Sequence, residues 1–527
     1  MNLRWKIQKK NYATLLFFVL MAIGIAARVI GFGVVPGDLN QDEAYAGYEA
    51  YSLLIYGMDS AGYRFPVYLY TWGSGMSALN TYLMMPFIAL FGPKIWVIRL
   101  PQLIIACLTL WVVYLLARRM FDERIALFTL FLLAICPWHI TMSRWGLDAN
   151  LAPGFLIFAL YFYIRGLENS KYLMLSSLMY GLSLYCYATI WAIVPVLIAA
   201  EFLYGLYVKK LRLDRYVVLS VLILGATALP LILFLLVNMG VLEEIRLPFL
   251  SIPRLLYMRS DDMELNLAVL VERAKNVWRL MKVQSDNIVA DGTEEYGIYY
   301  SGTLSFFMLG VYYCLRTWLK KVRRREYAPE FLLLLQTAAG IGLGMLLTRT
   351  TIYRNNILFI PMVMIAARGV CYLFELINIR ELILPVLYYL VMFAGFMHYY
   401  FTDYADLAAY PFCRGLEAAV EEAASYEGPI YYSRGIEHSR ILFLTREPVQ
   451  NFIDTVEYYY YPARYLEAKS FSRYSCEFDA ENPDVNATYL LGRNVDWDFY
   501  EEQGFTVHRY DWFAVAHHPD NVHQGGE

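Results

Sequence analysis

No CxxC pair and no Cys/His cluster occurs among the seven cysteines, so spacing indicates neither a zinc site nor a redox motif. Most of these cysteines read as apolar packing residues of membrane helices. There is no Gly-rich phosphate loop, no Walker motif, no Rossmann-type domain and no coiled-coil heptad run. Charge is scarce as well: Asp, Glu, Lys and Arg make up 17% of the 527 residues. The net charge of -3 says little, because the charges are sorted by position. Arginine-rich patches sit between apolar spans and read as topology signals, which excludes a nucleic-acid partner.

What remains is apolar: 59% of the residues are hydrophobic and 17% aromatic, in repeated runs of helical-span length. That is a polytopic membrane protein. Arg4, Lys6, Lys9 and Lys10 precede an apolar run over 13–33. It exceeds a signal-peptide core and reads as an uncleaved first helix. Further basic clusters stand at Arg118, Arg119 and Arg124, at Arg165 and Lys171, at Lys209 to Arg215, at Lys320 to Arg325 and at Arg380. Placing all of them in the cytoplasm gives spans near 12–33, 99–117, 125–141, 151–166, 172–189, 191–208, 216–238, 300–318, 329–348, 355–373 and 382–400. The expectation is about eleven transmembrane helices, with the N-terminus cytoplasmic and the C-terminus external.

One apolar run, 76–92, is left over. Crossing there would invert every later loop, so it reads as a helix in the outer interface. The transmembrane domain is then 1–400, with external loops at 34–98 and 239–299. The second carries Asp261, Asp262 and Glu264, then DGTEEYGIYYSG. Residues 401–527 form an external α/β domain. Leu416 to Ser425 reads as an amphipathic helix, 429–433 and 487–492 as strands, and 505–508 with 512–517 as a terminal hairpin. Asn486-Ala-Thr is a formal glycosylation sequon that carries no weight. Cys413 and Cys476, alone in this domain, are candidates for a disulfide that an external compartment permits, with two free thiols as the alternative because geometry alone could forbid the bond.

The stretch Gly37 to Glu49, GDLNQDEAYAGYE, places Asp38, Asp42, Glu43 and Glu49 directly after the first apolar run. A bland reading is a solvated acidic loop. Two other external turns keep it company. One, after the third span, carries Arg144 and Asp148. The other, LTRTTIYRNNILFIP, carries Arg349, Arg354, Asn355 and Asn356. Arg28 lies near the outer end of the first helix. Singly, Arg28 and Arg354 could snorkel, Asp148 could cap a helix, and Arg144 could pair with Asp148. Together they put carboxylates and arginines at one membrane face. Arginine matches a phosphate with a planar fork of donors, and a carboxylate can take a proton as general base.

The DE pair at 42–43, Arg99-Leu-Pro101 opening a later helix, ARRMF closing it and S-R-x-x-x-D after the next resemble the C superfamily of membrane glycosyltransferases. Within it the chain is most similar to family 39, the protein O-mannosyltransferases and bacterial aminoarabinose transferases of lipid A. The resemblance covers most of residues 1–200; YGIYYSGTLSFFMLG and RNNILFIP match more loosely, and the tail matches nothing specific. It implies a polyprenyl-phosphate sugar donor and transfer, with inversion, at the external face of the cell membrane. Asp42 would be the catalytic base and Glu43 its support, with Arg144 and Asp148 in the donor or metal region. Arg28 and Arg354 are further candidates for the phosphate. Some relatives hold a metal with a histidine; none stands near these carboxylates, so a divalent metal is left open. The large inserts of eukaryotic mannosyltransferases are absent from 239–299, which points to a bacterial-type enzyme. The acceptor, whether lipid, protein or cell-wall polymer, is not specified. A lipid-linked glycan polymerase or ligase is the alternative. A transporter or flippase fits less well, because the acid lies in loops and no matched interrupted helices suggest inverted repeats.

The topology is checked with single cysteines in a cysteine-free background. Positions within 118–124 and 320–326 should label only from the cytoplasmic side, and 142–150 and the tail only from outside. External labelling at position 321 alone would overturn the path.

Overall fold

Long runs of apolar side chains fold into helices here because each helix satisfies its own backbone polar groups, the condition for lying in hydrocarbon. The computed structural model describes residues 3–258, 266–377 and 382–521. Asp261, Asp262, Glu264 and Arg380 lie outside the described residues. Among the described residues, eight helices are long and apolar enough to cross a membrane. They are Asn11–Val29, Leu100–Met120, Asp148–Glu168, Ala188–Tyr207, Arg215–Asn238, Pro329–Leu346, Tyr353–Leu376 and Ile383–Phe401.

The expected count of about eleven is not reached, and three spans account for the difference. The run 125–141 is two helices, Glu123–Ala134 and Pro137–Met142. Pro137 drives Cys136 into an extended conformation (φ -64°, ψ 122°), and that breaks the helix. The run 172–189 yields a helix of 13 residues, Lys171–Ser183, about 20 Å long against a hydrocarbon core of about 30 Å. Thr303–Val322 has 20 residues but carries Arg316, Lys320 and Lys321. The leftover run forms Leu79–Phe91, a 13-residue helix interrupted by Pro86, again too short to span.

By contacts the chain divides into two units. The first comprises Met1–Phe32, Pro101–Leu229 and Ser260–Tyr404. Its tightest crossing joins Thr303–Val322 to Phe359–Leu376 through two glycines. A Cβ on Gly310 would sit 2.0 Å from the Ile365 carbonyl oxygen, and one on Gly369 would sit 1.9 Å from that of Phe306. Small residues at such a crossing let the backbones touch, a main source of helix association in lipid.

The second unit comprises Gly33–Leu100, Pro230–Arg259 and Ala405–Glu527. Its centre is a seven-stranded mixed sheet. In spatial order the strands are Thr506–Tyr510, Phe513–His517, Thr488–Gly492, Ile430–Tyr432, Tyr474–Ser475, Ala468–Phe471 and Glu457–Tyr458. Ile430–Tyr432 pairs in parallel with a neighbour on either side; the other pairings are antiparallel. The helix over Leu416–Ala424, both early strands and the terminal hairpin stand where the pattern of residues places them. The candidate disulfide is not formed: Cys413 and Cys476 are buried free thiols, and Cys476 Sγ meets the Tyr459 hydroxyl at 3.0 Å. Being the only two cysteines of a domain fixes no distance between them, and geometry decides.

Gly369→Val should lower the unfolding midpoint in detergent, with overpacking costing about 1–3 kcal/mol. Gly342→Val, at a site where a Cβ meets nothing within 4 Å, is the control that should not.

Candidate active site

Helix Gln41–Tyr56 starts where the sequence writes a start: Asn40 is the N-cap and Glu43 completes a capping box. The Asn40 side chain accepts the Asp42 N–H at 3.0 Å, and Glu43 Oε1 accepts the Asn40 N–H at 3.0 Å. Glu43 has a second engagement. Arg99 donates to it from Nε at 3.0 Å and from Nη2 at 2.5 Å, and both side chains are fully buried. The same guanidinium donates to the Gly37 carbonyl at 3.0 Å and to the Asp38 carbonyl. One arginine thus fixes the helix start and the turn before it.

Asp38 is likewise committed. Its Oδ2 accepts the Gly415 N–H at 2.8 Å and the Glu417 N–H at 3.2 Å. Burial raises its pKa, partly offset by these backbone donors. Arg440 donates to the Leu39 carbonyl at 2.9 Å, and the Ser439 hydroxyl to the Gln41 carbonyl at 3.2 Å. The acidic stretch is therefore clasped by residues of the tail. Glu49 accepts the Ser60 N–H at 2.9 Å and its hydroxyl, while Asp59 accepts the N–H groups of Ala61 and Tyr63 at 3.0 and 2.8 Å. Burial raises both carboxyls, and the charge of Asp59 adds to the rise of Glu49. Asp42 stands apart from the buried Glu43 and Glu49: it is half-buried in the first turn, its backbone held by the cap.

The same unit holds a cavity of about 180 Å³ lined by Trp72, Arg434, Glu437, His438, Tyr465 and Glu467. Trp72 stacks on Tyr465 with centroids 4.5 Å apart, and His438 stands edge-on to Trp72 at 5.3 Å. Trp72 Nε1 and His438 Nε2 are buried with no hydrogen-bond partner among the described residues. Burial lowers the His438 pKa to about 3, so this imidazole is neutral.

Arg28, Arg144, Asp148 and Arg354 belong to the first unit. Arg28, fully buried, donates to the carbonyls of Gly24 (2.6 Å), Ala134 (2.9 Å) and Leu133 (3.0 Å), and to His139 Nδ1 at 2.5 Å. Arg144, also fully buried, donates to the carbonyls of Arg28 at 3.0 Å and Ile30 at 2.8 Å. Its guanidinium lies over the rings of Tyr400 and Phe401. Both arginines donate to carbonyls near helix C-termini, a role that the one-dimensional pattern does not display.

Three turns do come together in that unit. Asn356 Nδ2 donates to the Ala149 carbonyl at 2.8 Å, joining the Asp148–Leu151 and Tyr353–Leu358 turns. Asp286 Oδ2 accepts the Ile352 N–H at 2.7 Å, and Asp291 feels the charges of Asp286 and Arg354. Burial, with the charge of Asp286, pushes the Asp291 carboxyl well above the usual range. Asp148 accepts the Ala149 N–H at 2.7 Å. Arg354 is half-buried and donates from Nε to the Tyr353 hydroxyl at 2.9 Å. Sequence reasoning missed Asp286, and it noted Arg99 only as part of a motif.

Residues 78–238 match the family model of dolichyl-phosphate-mannose-protein mannosyltransferase. The structure is similar to that of ArnT from Cupriavidus metallidurans in the apo state, with a TM-score of 0.58 at 13% identity, covering 97% of this chain and 98% of that one. ArnT bound to undecaprenyl phosphate gives 0.54 at 14% identity, over 96% and 98%. The Archaeoglobus fulgidus oligosaccharyltransferase in the apo form gives 0.50 at 16% identity, over 83% of this chain and 64% of that one. No curated protein matches the chain by sequence.

Arg99→Ala should destabilise the protein by about 3–5 kcal/mol, because it leaves Glu43 buried and unanswered. Arg99→Ala combined with Glu43→Gln should recover part of that loss in thermal unfolding.

Proposed function

We propose that the protein transfers a sugar from a polyprenyl-phosphate carrier to an acceptor at the external face of a bacterial cell membrane. The N-terminus is then cytoplasmic and the tail external. The observation that carries this reading is the start of helix Gln41–Tyr56: Asp42 is half-buried on a first turn immobilised by the Glu43–Arg99 pair. The carrier is supported by ArnT, whose similar structure is bound to undecaprenyl phosphate.

Asp42 is the general base. It takes the proton of the acceptor hydroxyl or amine as the nucleophile attacks the anomeric carbon. The bond from that carbon to the phosphate oxygen breaks, and the lipid phosphate leaves with the electron pair. Attack opposite the phosphate inverts the centre. Cations that stabilise the growing phosphate charge do most to lower the barrier of such a transfer. Arg354 is the candidate for that contact, since Arg28 and Arg144 spend donors on helix carbonyls and act as positioning residues. Glu43 also positions: a metal held by its oxygens would have to displace Arg99 and the Asn40 amide. Asp148 orders the turn that Asn356 joins to Arg354. Near the tail, the aromatic cavity with Trp72 and Tyr465 suits selection of the acceptor.

The second reading, a lipid-linked glycan polymerase or ligase, is favoured by the oligosaccharyltransferase likeness, which spans 64% of that chain. Whether the carrier bears one sugar or several separates the two, and mass spectrometry of cell-envelope glycans with and without the protein reads this directly.

Asp42→Asn should leave a folded, inserted protein whose transfer rate falls by about 10²–10⁴-fold. Turnover near that of the native chain in purified, reconstituted Asp42→Asn protein would sink the assignment.

A further inference from the structure

The terminal hairpin places His508 and His517 on one face of the sheet. His508 pairs with Val515 and His517 with Thr506, so the two histidines are diagonal neighbours across antiparallel strands. Their ring centroids are 5.6 Å apart. Helix Leu416–Ala424 packs on the same face, burying Leu416, Ala419, Val420 and Ala423 in one core with Val515. From this helix Glu422 reaches the histidines, and its Oε1 lies 2.5 Å from His508 Nδ1.

We propose that Glu422, His508 and His517 form a zinc site that ties this helix to the C-terminal hairpin. One donor atom from each of the three side chains lies within 4.8 Å of the other two. Ligands of a tetrahedral zinc stand about 3.3 Å apart for bonds near 2.0 Å, so small side-chain rotations close the site. Two imidazoles with one carboxylate suit zinc; calcium and magnesium prefer shells of oxygen.

The surroundings are built as a ligand set requires. His517 Nδ1 lies 3.3 Å from the His518 carbonyl, which fixes the tautomer that presents the Nε2 lone pair. The Tyr426 ring stacks on His517 at 4.2 Å and 23°, holding the imidazole plane. The Tyr510 hydroxyl donates to Glu422 Oε2 at 2.6 Å, aiming the carboxylate. His508 is half-exposed, which opens an entry path and a fourth position for water. This site is independent of the transfer reaction, and sugar transfer is not its readout.

The test is a competition titration of Zn²⁺ against a chelating dye, on the full-length, tag-free, metal-free protein in detergent. One zinc per chain should be taken from the dye, with a rise in unfolding temperature. Co²⁺ in its place should give the visible absorption of a four-coordinate ion. His508→Ala and His517→Ala should each abolish stoichiometric uptake, Tyr510→Phe should weaken it by about 10-fold, and His398→Ala should leave it unchanged. Uptake that survives in the His508→Ala/His517→Ala protein overturns the proposal. So does a native chain that takes up no zinc while showing a cooperative unfolding transition.

Discussion

A guanidinium carries its donors in a plane and cannot shed its charge, so once removed from water it has to be answered on every side. Arg28, Arg99 and Arg144 are each fully buried. What answers them is mostly backbone. Helix ends leave carbonyls without partners, and in apolar surroundings no solvent takes their place. Arg28 reaches carbonyls of two helices, and Arg144 reaches the end of the first helix. Arg99 does the same for Gly37 and Asp38 while neutralised by Glu43. His139, which accepts from Arg28, lets a second element share that cation.

This need divides the labour among residues that look equivalent on paper. Of the carboxylates in the acidic stretch, Glu43 is held by a cation and a cap, Asp38 by the start of a tail helix, and Glu49 by Ser60 beside a second buried carboxyl. Each accepts hydrogen bonds that belong to the fold. Asp42, the base we propose, keeps partial exposure on a backbone that the Asn40 cap holds.

Much of this was legible in one dimension, and the reasons are local. The long apolar runs, the Asn40–Glu43 capping signature, the Leu416–Ala424 helix and the terminal hairpin are each written within one element. Three kinds of feature were not. The break at Pro137 hides inside an apolar stretch whose composition suits one helix. The strands Glu457–Tyr458, Ala468–Phe471 and Tyr474–Ser475 are too short to show alternation. Partners far apart in sequence are silent: Arg99 meets Glu43 across 56 residues, and Arg28 meets His139 across 111. Arg28 and Arg144, singled out as phosphate candidates, also hold carbonyls distant in sequence. The histidines beside Glu422 were passed over because metal-ligand spacing was sought along the chain, whereas a helix and a hairpin supply it in space.

The hydrogen bond from Gly415 to Asp38 joins residues 377 positions apart. On a ribosome adding about 5–20 residues per second, that interval lasts roughly 20–75 s. Throughout it the acidic stretch exists without the helix that receives Asp38, and with its apolar neighbours uncovered. Glu43 and Arg99, only 56 residues apart, come within reach in the first seconds after the helix is made. The partners of this ion pair are thus both made long before the helix that receives Asp38.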